Sequence, residues 1–193
     1  NPARPWWERD LQWAVDSGCK AIRVFPNYWG IGMADPPGDR LMAAIREAGI
    51  GLVVNTRLHD ERHHQQQFYK PPVQFRDLEW LVRQWLDVPI LLAAGAWRDI
   101  APIGASAIRD SRLVVDVSYV KTPTFVIEEM VEAIGADHIA FGTGAPLHYP
   151  EVATYRVEMA DISDEDRAAI WGGTIAHAFG LKVESGSRGF PEP

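Results

Sequence analysis

The sequence predicts an α/β fold built on a parallel sheet, and two observations carry that prediction. One unit recurs along the chain: an amphipathic helix, a glycine, then a short apolar run. The apolar runs are near-continuous instead of alternating, which suits strands buried on both faces. Alternation of helix and strand in this way gives βαβ units joined by right-handed crossovers.

The units follow one another in order. Over residues 5–17, Trp6, Trp7, Leu11 and Ala14/Val15 fall at helical spacing, and Gly18 stops the helix. A strand is predicted over 21–25. Leu41, Ala44/Ile45 and Ala48 repeat the spacing, Gly49 ends it, and 52–54 form the second strand. A glycine just past a helix end takes the left-handed conformation without a Cβ clash. Phe75, Leu78, Leu81/Val82 and Trp85 make a third helix, with a third strand over 89–93 and a fourth over 113–117. Thr122-Pro123, a capping residue before a proline, predicts a helix start that runs to Ile134. Gly135 ends that helix, and 139–142 form the fifth strand. Ser163 can accept a hydrogen bond from the backbone N–H of Asp166 and cap a further helix. Residues 174–180 close the fold. Residues 1–181 read as one domain, and 182–193 lack apolar periodicity and are expected to fray.

Composition narrows the function. The net charge of −7 and the absence of a Lys/Arg cluster exclude a nucleic-acid footprint. No run approaches the ~20 apolar residues of a membrane span, and no signal peptide opens the chain. A cytoplasmic protein that binds a small molecule is the expectation. The one cysteine, Cys19, excludes an internal disulfide framework and a Cys-based zinc site, and it reads as a core-edge residue. The chain opens on Asn1-Pro2 without Met, which predicts a processed, truncated or fragmentary N-terminus. Five strands cannot close a barrel of eight. Either the sheet is open and doubly wound, or three strands lie upstream. The pattern leaves both open, and unpaired sheet edges predict self-association into a homo-oligomer.

In either architecture, ligands bind at the carboxyl ends of the strands. Arg57 follows the second strand and can grip a carboxylate with two parallel hydrogen bonds, or form an ion pair between loops. Asn27 and Tyr28 follow the first strand and can donate into the same mouth. The loop from Asn55 to about Pro72 is long for a βα connection, and such loops are often functional. It holds the densest polar group of the chain: His59, Asp60, Glu61, Arg62, His63 and His64. His59 and His63 would share a helix face, but the order is not the zincin His-Glu-x-x-His. Asp60, Glu61 and Arg62 are substrate-contact candidates or members of a solvated, salt-bridged loop. Asp116 lies inside an apolar run, where a charge needs compensation or its pKa rises. His148, on the last loop, titrates near neutrality and can serve as an acid–base group.

Four stretches carry a resemblance. The runs GCKAIRVFPNYWGI, DRLMAAIREAGIGLVVNTR, DHIAFGTGAP and IWGGTIAHAFGL are similar, in order and spacing, to strands four to eight and the closing helix of amidohydrolase-related proteins. These are the amidohydrolase 2-type TIM-barrel group of metal-dependent hydrolases and decarboxylases. The resemblance implies a parallel (β/α) barrel of TIM type, of which this chain holds the C-terminal part. It also implies a divalent metal, zinc or manganese, held partly by a His-x-His motif on an upstream strand. The departures are as informative as the matches. Where the resemblance implies a ligand His after the fifth barrel strand, the chain has Asn55. Where it implies a second His, the chain reads Ala93-Ala94-Gly95, and where it implies a catalytic Asp, the chain has Gly144. Alanine and glycine cannot ligate an ion, so no residue of this chain is assigned to a metal.

Three functions compete. The first is a hydrolase or related decarboxylase for a small anionic or carbonyl-bearing substrate. Asp60, Asp116 and His148 would be its catalytic residues, and Asn27, Tyr28, Asn55, Arg57, His59, Glu61 and Arg62 would hold the substrate. The second is a catalytically inactive barrel kept as a small-molecule binder or interaction partner. The third is an independent α/β binding domain for a phosphate-bearing ligand, which ranks last because no glycine-rich phosphate loop follows a strand.

Overall fold

The computed structural model describes residues 1–58, 67 and 69–182. Five strands form one sheet: β1 (Ala21–Val24), β2 (Gly51–Asn55), β3 (Ile90–Ala93), β4 (Leu113–Asp116) and β5 (Ile139–Ala140). All neighbours are parallel, and the spatial order is the chain order. That order decides between the two architectures left open by pattern. A doubly wound sheet reverses its strand order at a switch point. Sequential order with right-handed crossovers keeps the helices on one side and curls the sheet toward a barrel.

The pleat sorts the side chains into two sets. Val24, Val54, Leu92, Val115 and Ile139 are successive register partners across the sheet. Each is at most 1% exposed and belongs to the core against the helices. Burying a side chain of this kind stabilises by about 1.5–3 kcal/mol. The next residue in each strand points the other way. There the row reads Asn55, Ala93, Asp116, Ala140, with Asn55 opposite Ala93 and Asp116 opposite Ala140. The helix-facing row is thus apolar, while the opposite row carries the polar groups, at the carboxyl ends.

Ten α-helices are assigned among the described residues: α1 (Trp7–Asp16), α2 (Pro26–Trp29), α3 (Pro36–Glu47), α4 (Phe75–Gln84), α5 (Trp97–Ile100), α6 (Ala105–Arg109), α7 (Val126–Ile134), α8 (Pro150–Glu158), α9 (Asp164–Ala168) and α10 (Thr174–Phe179). α4 shows the common design: Leu78, Leu81 and Val82 are buried, and Arg83 pairs with Glu79 at 3.1 Å on the wet side. Ser163 caps α9 as its sequence predicts, accepting from the Asp166 N–H at 3.0 Å.

Two local expectations are corrected. The helix expected at Thr122-Pro123 starts at Val126 instead; a cis Thr122–Pro123 peptide and a turn precede it. Cys19 is exposed, not at the core edge. Helix α8 was not legible because it is apolar on two sides. Ala153 and Val157 are buried, while Val152, Tyr155 and Met159 are exposed on the other face, so no single stripe stands out. The 183–193 part of the tail lies outside the described residues.

Gly51 shows how tightly the closing helix seats. A Cβ there would meet the Phe179 ring and lie 2.9 Å from the Pro89 carbonyl oxygen. Gly51→Ala is therefore expected to destabilise the fold by about 2 kcal/mol, as overpacking does. A thermal melt should fall by on the order of 5 °C. An unchanged melting temperature would show that Phe179 can step aside.

Candidate active site

Asp116 ends β4 and is 9% exposed. Its Oδ1 accepts from the Ala94 N–H at 3.0 Å, the Ser118 N–H at 3.2 Å and the Ser118 hydroxyl at 2.7 Å. Burial pushes the carboxyl pKa up. The Ser118 and Ala94 hydrogen bonds and the charge of Arg23 pull the other way without cancelling it. Its Oδ2 lies against Gly142, where a Cβ would fall 2.8 Å away, so glycine is required there.

The chain beside Asp116 is strained and held. Ala94 has φ 57°, in the left-handed region. For a residue with a Cβ that costs on the order of 1 kcal/mol and persists only where the surroundings enforce it. Here the Ala94 N–H is bound by Asp116, and its carbonyl accepts from the Thr56 hydroxyl at 2.6 Å. Asn55 is 8% exposed; its Nδ2 donates to the Arg57 carbonyl at 3.3 Å. Its Oδ1 is buried and has no hydrogen-bond partner among the described residues.

A second group gathers on Tyr119. The Arg57 side chain is 3% exposed and pairs with Asp99 of α5. Its guanidinium carbon is 4.5 Å from the Tyr119 ring centroid, and the Lys121 ammonium is 4.3 Å from the same centroid. Cations over an aromatic face are attracted by the ring quadrupole. The His148 ring centroid lies 5.7 Å from that of Tyr119. His148 also covers Gly144, which has φ 67°. A Cβ on Gly144 would stand 2.7 Å from His148 Cδ2 and 3.5 Å from Ser118 Cβ. The imidazole therefore fills the space that a side chain at position 144 would need.

Other sequence-predicted residues have structural partners. Asn27 stitches two loops: its Nδ2 donates to the Pro71 carbonyl at 2.8 Å and to the Thr56 carbonyl at 3.3 Å, and its Oδ1 accepts from the Tyr28 N–H. Burial raises the Tyr28 pKa, and a backbone hydrogen bond with Leu58 opposes the shift. Asp60, His59, Glu61 and Arg62 lie outside the described residues, as do His63 and His64. The structure thus brings Asn55 and Asp116 to one row and Arg57 and His148 to one ring.

Sequence reasoning passed over Ser118, Tyr119, Lys121, Asp99 and Arg23. The first three follow β4, a strand from which the sequence pattern singled out only Asp116. The signal existed, because the carboxyl-end rule applies to that strand as to the others. Asp99 and Arg23 carried no local signal.

A divalent ion at the strand ends would need several ligands gathered there. Among the described residues, no three His, Cys, Asp or Glu converge. The strand-end row offers one carboxylate, with one oxygen held by three donors, and one neutral amide oxygen. A zinc or manganese centre needs several N or O ligands, and the described residues alone do not fit one.

No family model matches the chain, and no curated protein matches it in sequence. Solved structures do match. A 5-carboxyvanillate decarboxylase from Sphingomonas paucimobilis aligns with 94% of this chain and 64% of its own, with TM-score 0.71 and 12% identity. A TIM-barrel protein from Bordetella bronchiseptica aligns with 90% of this chain and 61% of its own, with TM-score 0.69 and 16% identity. The fold is that of a partial TIM barrel. A 2,6-dihydroxybenzoate decarboxylase from Rhizobium aligns with 90% of this chain and 67% of its own, with TM-score 0.66 and 14% identity. The chain spans 61–67% of the length of these three structures. At such identities the likeness shows the fold and no more. Structures named as a probable 2-pyrone-4,6-dicarboxylic acid hydrolase and a putative amidohydrolase are also among the neighbours, at 12% and 10% identity.

Proposed function

We propose that this barrel acts as a hydrolase or decarboxylase on a small anionic substrate, such as an aromatic carboxylate, with its family metal site degenerate. The carrying observation is the His148 ring, which fills the space of the absent Gly144 side chain. The resemblance implies a catalytic, metal-contacting Asp at that position. An imidazole there would supply a different acid–base group. Ser118 Cβ borders the same space, and the Ser118 hydroxyl donates to Asp116. Arg57, already oriented by Asp99 and Tyr119, would hold the substrate carboxylate. Asp116 and His148 would move protons. Asp60, His59, Glu61 and Arg62 would contribute from the long loop.

The test uses 2,6-dihydroxybenzoate and 5-carboxyvanillate, the acids after which two structurally similar decarboxylases are named. Product formation by the full-length protein is followed chromatographically, with and without added zinc or manganese. His148→Gln should lower turnover by roughly 10²–10⁴-fold, the range of general acid–base catalysis. Equal rates in wild type and variant would remove His148 from the chemistry. A second reading, an inactive barrel that binds small molecules, is favoured by the single carboxylate of the strand-end row. Saturable binding of either acid without any turnover would select it.

A further inference from the structure

The opposite end of the sheet holds a second mouth. A cavity of about 400 Å³ opens among the residues that precede or begin successive strands. Lys20 stands before β1, Gly51 begins β2, Pro89 stands before β3 and Arg112 before β4. The last turn of α3 adds Arg46, and α10 adds His177 and Phe179. Four βα units and the closing helix thus contribute to one concavity, remote from the carboxyl-end group.

Its charge runs against that of the molecule. The protein carries −7 overall, yet this cavity sets Lys20, Arg46 and Arg112 against the single carboxylate Asp87. Those four groups leave an excess of two positive charges. A concave lining with an excess of one sign raises the local concentration of an entering counter-ion. The two guanidinium groups are already positioned. Arg46 stacks over Trp85 at 5.0 Å and its Nε lies 3.7 Å from Asp87. Arg112 donates to the Ala178 carbonyl at 2.7 Å and to the Asp87 carbonyl at 3.3 Å. Those two bonds use only part of its five-donor fork.

We propose that this amino-end cavity binds a phosphate group, free or as a monoester. A phosphate dianion matches the excess of two positive charges. Its tetrahedral oxygens can accept from two planar guanidinium forks and an ammonium together. The competing account gives the same cations another task. Positive side chains near helix C-termini offset the negative end of the macrodipole, and α3 and α10 both end here. On that account no ligand binds.

The experiment is a ¹H–¹⁵N NMR titration of the full chain at matched ionic strength. One arm uses inorganic phosphate and the other phenyl phosphate. The proposal expects saturable shifts at Gly49, Ile50, Gly51, Ala178 and Gly180 in at least one arm, complete below roughly 10 mM. Tighter binding of the ester marks a phosphomonoester as the ligand, and tighter binding of inorganic phosphate marks the free ion. Lys20→Gln, an exposed change that leaves both arginines in place, should weaken binding about tenfold. Arg46→Gln is the second variant and should weaken it as well. Shifts that rise linearly in both arms, that scatter over the surface, or that persist unchanged in both variants would overturn the proposal.

Discussion

Asp116→Ala is expected to lower the free energy of unfolding by about 3 kcal/mol, measured by urea denaturation. The carboxylate is the common acceptor for the N–H groups of Ala94 and Ser118 and for the Ser118 hydroxyl. Removing it leaves buried donors without an acceptor, and each costs its desolvation. It also releases the chain at Ala94, whose left-handed conformation one of those bonds enforces. Asp116→Asn should cost far less, because an amide oxygen can still accept from the same groups. The pair of variants separates charge from hydrogen bonding. If alanine proves as mild as asparagine, the three hydrogen bonds are not holding this corner.

The same residue gives a pH signature. Its pKa in the folded protein is raised above the ordinary 3.8. The folded state therefore holds a proton that the unfolded chain has released. Stability from this group is fully present below its ordinary pKa and is lost as pH rises through its raised value. Asp116→Asn should flatten that part of the stability–pH curve. A wild-type curve and a variant curve of identical slope at every pH above the ordinary carboxylate range would refute the assignment. Under the proposed function both variants should also lose turnover by on the order of 10²-fold or more.

The second large effect belongs to Arg57. Its side chain is 3% exposed, while that of its partner Asp99 is 37% exposed. Removing one member of a buried ion pair costs about 3–5 kcal/mol. Asp99 can hydrate when left alone, so Arg57→Met should fall near 2–3 kcal/mol. Arg57→Lys should also destabilise, because an ammonium cannot reproduce the planar contact with Tyr119. A double-mutant cycle with Asp99→Asn should show positive coupling, with the double variant losing less than the two single losses together. Additive losses would mean that Arg57 does not act through Asp99. On the proposed function, Arg57 variants should raise KM for a carboxylate substrate more than they lower kcat.

The candidate site was legible in part, and the residues show why. Arg57, Asp116 and His148 stood out because each breaks or follows an apolar run, and strand ends are where ligands bind. The groups around them did not. Arg57 and Asp99 are 42 residues apart, and nothing in either neighbourhood points to the other. Tyr119 reads in sequence as one more aromatic beside a strand. Its place between Arg57, Lys121 and His148 depends on three loops meeting. Asn27 reads as a site residue and is used to tie two loops. That use depends on where Pro71 falls in space.

The parallel α/β class, the five strands and most of their helices are legible in the pattern of residues. Those features follow from burial within each segment, and burial leaves a periodicity of its own. That pattern leaves the strand order open, and the packed sheet settles it as chain order, which makes the sheet part of a barrel. The tertiary structure alone placed the imidazole of His148 over Gly144 and seated Phe179 on Gly51. Such contacts join residues from separate loops and helices, where the fit of one surface to another is set by the whole packed molecule and writes no local pattern.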